Sequence, residues 1–105
     1  MSADKIKESF VAKFKEVGED KFYKYLCSYA MSKVSDIESN KLSGTSPEIE
    51  MLNTYEMFLT FYRREGHDVY LTIAKIFRKV AHKIYRVLIR KHLISKNIKF
   101  INQVK

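Results

Sequence analysis

A chain of 105 residues that is 46% hydrophobic and 30% charged can bury one modest core, and is too apolar to stay disordered. Three Gly and one Pro are too few for the closely spaced turns of a β-rich fold, while a single cysteine, Cys27, excludes an internal disulfide and a cysteine-based zinc cluster. The net charge of +8 is uneven: residues 1–66 hold ten Lys or Arg against eleven acids, whereas residues 67–105 hold ten against Asp68 alone.

The first predicted helix spans residues 4–17. Ile6, Phe10, Phe14 and Val17 recur at the spacing of one helical face, and Gly18 is a natural stop. The second starts near Glu19 or Asp20, whose charges suit a helix N-terminus, and buries Phe22, Tyr23, Leu26, Cys27, Ala30, Val34 and Ile37. Lys33 projects toward that face, so its stem is expected to be buried and its ammonium led out to water. Residues 38–45 are polar, contain Gly44 and read as a loop. Ser46-Pro47-Glu48 then supplies an N-cap serine, a first-turn proline and an acid at the helix dipole. The third helix runs from there to about residue 64, with Met51, Leu52, Tyr55, Phe58, Leu59 and Tyr62 on one side. Phe61 widens that stripe, which predicts a central position, and Gly66 ends the helix. The fourth follows Asp68, a candidate cap, and no Gly or Pro interrupts residues 69–94. Such a helix would be about 39 Å long, more than the ~30 Å width of a small domain. Residues 95–105 fit either a short helix (Ile98, Ile101, Lys105) or an extended segment (Ile98, Phe100, Val104).

A 100° rotation per residue divides the fourth helix into two faces. Val69, Ile73, Ile76, Phe77, Val80, Ile84, Val87 and Leu88 share one arc, with Ala74 and Ala81 at its edge. Lys75, Lys79, His82, Lys83, Arg86 and Arg90 share the opposite arc, flanked by Arg78. No carboxylate lies among them to form i, i+4 pairs. A helix laid down for solubility alone normally mixes the two signs. The stripe therefore reads as a footprint for a polyanion, each cation neutralising one phosphate. The competing reading has acids from other helices, Glu8, Glu16, Glu48, Glu50 or Glu56, meeting this face inside the fold, or a simply solvated surface.

Sequence-specific DNA reading is disfavoured, because the basic residues lie mid-helix and the segment before the third helix is too long for a helix-turn-helix. Aromatic RNA-recognition signatures, GXXG clamps and zinc fingers are absent from the sequence. Membrane-surface and calmodulin-type docking would need the apolar face that the core requires. Those readings survive only for residues 88–104. Tyr55, Phe58, Phe61 and Tyr62 could form a base-stacking platform, but at helical spacing beside Leu and Met they read first as core. Ala74 and Ala81 would admit a close-packed helix, within the chain or across a dimer. Glu65, His67 and Asp68 are the one place where a histidine sits beside acids, and helix-end chemistry accounts for them. His67, His82 and His92 lack metal-ligand spacing.

The expected fold is all-α, a single domain formed as a four-helix up-and-down bundle or close variant with a long basic amphipathic C-terminal helix. The expected function is that of a small non-enzymatic binding or adaptor protein. Lys75, Arg78, Lys79, His82, Lys83, Arg86 and Arg90 would engage a nucleic acid backbone without sequence specificity. The alternative is a helical protein–protein module, homodimeric in one form, whose basic face docks an acidic protein. No catalytic residue, metal or cofactor is expected. The polar N-terminus and the lack of an eighteen-residue apolar run predict a soluble intracellular chain, cytoplasmic or, in a eukaryote, nuclear.

Overall fold

The predicted helices form with their apolar faces turned inward, and local chemistry at their ends decides where each stops. The computed structural model describes residues 2–94. It contains α1 (Ala3–Val17), α2 (Glu19–Glu38), α3 (Pro47–Glu65) and α4 (Asp68–Arg90), with no strand among the described residues. The expectation for residues 95–105 lies outside them.

Ser2 caps α1, its Oγ accepting from the Lys5 N–H at 3.3 Å. Gly18 separates α1 from α2 at φ 85°, where a Cβ would be strained, and its N–H closes onto the Phe14 carbonyl at 2.9 Å. At the far end of α2, Asn40 takes φ 55°. The Asn40 N–H then donates to the Ile37 carbonyl and the Lys41 N–H to that of Asp36, a six-to-one closure that stops the helix without glycine.

Helix α4 corrects the expected boundary. It ends at Arg90 rather than Ile94, because His92 adopts φ 57°. The His92 N–H donates to the Ile89 carbonyl and the Leu93 N–H to that of Leu88, both at 3.0 Å. This turn folds Leu93 and Ile94 back against the core, whereas continued helix would carry them past it. The 23-residue helix is about 35 Å long and fits within the 39 Å long dimension of the molecule.

Two cap assignments also change. His67, not Asp68, occupies the N-cap of α4, and Asp68 is the first helical residue. Ser46 does stand at the N-cap of α3, but its hydroxyl makes no capping bond to the backbone. It donates instead to Glu48 Oε1, a carboxylate only 4% exposed that needs a donor.

Helices α3 and α4 form an antiparallel hairpin that acts as the spine of the fold. Phe58 stacks on Phe77 (5.9 Å, 14°), and Phe61 meets Tyr70 near the turn. Helices α1 and α2 leave the Gly18 corner toward opposite ends of that hairpin. Lys7 of α1 bonds Glu65 beside the α3–α4 turn, while Tyr29 and Glu38 of α2 reach Glu50 and Lys91 at the other end. Phe10, Phe14 and Phe22 fill the corner edge-to-face and join Phe77.

The central helix is α4 rather than α3. It buries ten residues from Ile73 to Leu88, whereas Tyr55, Leu59 and Tyr62 of α3 are only half-buried. Ala74 and Ala81 are fully buried inside the chain. Lys33 is half-buried, its ammonium 5.6 Å from the Tyr29 ring, as its position on α2 predicts.

Candidate polyanion-binding surface

The register of α4 that buries Ile73, Phe77, Val80, Ile84 and Leu88 obliges residues 75, 79, 82, 83, 86 and 90 to face outward. All six are exposed, and Arg78 beside them is half-buried. Together the seven line one open concavity of about 630 Å³, so the structure brings every sequence-selected residue to a common surface. From position 75 to position 90 the stripe covers about 22 Å of helix.

None of the acids weighed as internal partners forms an ion pair with Lys75, Lys79, Lys83, Arg86 or Arg90 among the described residues. Glu48 is occupied by Ser46, and Glu50 accepts from the Tyr29 hydroxyl at 2.8 Å. Glu8, Glu16 and Glu56 are exposed. Ion pairs among the described residues join Lys7 to Asp4 and Glu65, and Lys91 to Glu38. Lys75, Lys79, Lys83, Arg86 and Arg90 take part in none of them. Countercharge comes from Glu19 and Asp20 at the start of α2, which share a small depression with Tyr23, Lys75, Ile76 and Lys79. These acids serve the α2 dipole, and they bound the stripe at one end.

One wall residue was assigned elsewhere by its periodicity. Tyr23 falls on the apolar side of α2 in sequence, yet it is only half-buried and lines the concavity. The Lys79 ammonium lies 4.7 Å from the centre of its ring and that of Lys83 5.8 Å. Burial, followed by a hydrogen bond with the Cys27 thiol, raises the phenol above its ordinary 10.0, so at neutral pH it remains a protonated donor. The missed signal was Tyr23's place at the edge of the α2 stripe, one position from fully buried Phe22.

The other candidate clusters resolve into structural contacts. Glu65 accepts from Lys7 Nζ at 3.2 Å, and that ammonium also lies 4.5 Å from the Phe61 ring and 5.3 Å from Tyr70. Burial pulls the Lys7 pKa down, but the bond to Glu65, its charge and Tyr70 outweigh that effect and leave it above 10.5. His67 packs edge-on against Tyr70, and Asp68 is exposed. Phe58 and Phe61 are buried, so the aromatic set on α3 offers no stacking platform of four rings. Among the described residues no group of three or more His, Cys, Asp or Glu could hold a metal ion. None of their helices is long and apolar enough to cross a membrane.

Comparison with protein-family models, curated proteins and solved structures found no match to this chain.

Proposed function

We propose that this protein is a small non-enzymatic binding or adaptor protein, a close variant of the four-helix bundle, that engages a nucleic acid backbone through a basic face of its last long helix. The reading is carried by one observation. Lys75, Lys79, His82, Lys83, Arg86 and Arg90 are exposed on a single concavity, and no ion pair among the described residues neutralises them. Such a row of like charges is self-repelling in the free protein. A phosphate chain relieves that repulsion and releases its own counterions, which drives association without reading bases. Among the described residues no ion pair engages Lys83, Arg86 or Arg90 ahead of the ligand.

The test is a salt titration of binding to nucleic acid. With about six phosphates neutralised, affinity falls by roughly two to three orders of magnitude between about 50 and 200 mM salt. The Lys79→Glu, Lys83→Glu, Arg86→Glu triple variant, altered only at exposed positions, loses at least ~100-fold at low salt while keeping its helical spectrum. If neither duplexes nor single strands of DNA or RNA bind at low salt, the proposal fails. In that case the docking of an acidic protein on the same face becomes the reading to pursue.

A further inference from the structure

We infer that the preferred nucleic acid is single-stranded, with an unpaired base stacked on Tyr23 while the α4 cations hold the flanking phosphates. This inference rests on the polyanion reading above and adds to it the class of ligand. Among the described residues Tyr23 is the one Phe or Tyr lining the basic concavity. Its ring is half-buried, open in part to that space and packed on its other side against the core. An aromatic ring in a cationic trough is the arrangement that sequence-tolerant single-strand binders use. The groove follows the backbone, and the ring takes the face of any base.

Lys79 and Lys83 now lie against that ring, at 4.7 and 5.8 Å. They are long exposed side chains, and an incoming phosphate is a stronger partner for an ammonium than a phenol ring. Phosphate capture draws them outward and clears the ring. The stacking gained exceeds the exposed cation–π contact given up. A duplex cannot make this exchange, because its base faces are already stacked on one another. Lys75, Lys79 and Lys83 lie one helical turn apart, about 6 Å, so that they form a row along the groove.

Binding of a fluorescent dT12 strand tests the inference against an abasic strand of equal length, which carries the same phosphates without bases, and against a 12-base-pair duplex, all at ~50 mM salt. We expect dT12 to bind at least fivefold tighter than the abasic strand. Tyr23→Leu should remove that difference, while Tyr23→Phe retains it. Upfield shifts of the Tyr23 ring protons in the unmodified protein should appear with dT12 and not with the abasic strand, a readout independent of how the variants fold. Equal affinity for dT12 and the abasic strand, with no ring shift, overturns the stacking inference and leaves the polyanion reading standing. A 12-base-pair duplex that binds more tightly than dT12 likewise overturns the single-strand preference, and failure of all three ligands and of their RNA counterparts overturns both readings.

Discussion

At the scale of single residues, the molecule places its polar groups where helices must be joined. Lys7 ties α1 to Glu65, with Phe61 and Tyr70 against its ammonium. Tyr29 does the same between α2 and α3, donating to Glu50. That bond, then burial, pushes the Tyr29 phenol from 10.0 to about 12. The folded state therefore holds this proton more tightly than the unfolded chain does. Its contribution to stability is complete below about pH 10 and is lost as pH rises from 10 toward 12. Ultraviolet titration should show one tyrosine ionising near pH 12, and Tyr29→Phe should remove that late step. The Ser46–Glu48 contact has a different consequence, because Glu48 is buried. Ser46→Ala would leave a buried carboxylate oxygen without its donor, and we expect a loss of about 1–3 kcal/mol by urea denaturation. A loss within ~0.3 kcal/mol would show that another donor satisfies Glu48.

At the scale of elements, the ends of the helices explain both the agreements and the correction. Gly18 and Gly66 mark real stops because glycine takes positive φ freely, and both do so here at 85° and 73°. The same reasoning failed for α4, where His92 occupies the left-handed region despite its side chain. Tertiary contact favours that conformation, since the turn returns Leu93 and Ile94 to the core. His92→Gly should therefore raise stability by about 0.5–1 kcal/mol, and His92→Val should lower it by at least ~1 kcal/mol, read from urea midpoints. If the glycine variant is destabilised instead, the His92 side chain makes a contribution beyond this turn. Apolar periodicity placed α3 at the centre because Phe61 broadens its stripe. A wide stripe counts apolar residues but not how completely neighbours cover them. In the fold α4 is covered on more sides.

At the scale of the whole molecule, charge and shape are segregated together. Several acids of residues 1–66 act at helix starts or join one helix to another, as Glu19, Asp20, Glu48, Glu50 and Glu65 show. The cations of α4 are left to a surface of their own. With a net charge of +8 and the stripe concentrated over about 22 Å, repulsion should weaken the free protein at low ionic strength. The melting temperature is expected to rise between about 0.02 and 0.2 M salt, over the range in which the proposed nucleic acid binding is expected to weaken. A melting temperature independent of salt would show that the stripe carries no stored repulsion. Opposite salt responses of stability and binding would tie both to one surface.

The sequence by itself determined the four helices, most of their limits, and which side of α4 carries charge. These depend on spacing and on cap, proline and glycine chemistry, which act within a few residues. The seven stripe residues were legible for the same reason, because one helix orders them all. Only the tertiary structure decided that α4 is central, that α1 and α2 splay from Gly18 toward opposite ends of the α3–α4 hairpin, and that Tyr23 borders the basic concavity. It also decided that Lys75, Lys79, Lys83, Arg86 and Arg90 take no part in the Lys7 and Lys91 ion pairs, and that Glu48 and Glu50 are engaged by Ser46 and Tyr29. The physical reason is common to all of these. They depend on how whole helices cross, which is set by many weak packing contacts between residues far apart in sequence, and periodicity along one helix holds no record of its neighbours.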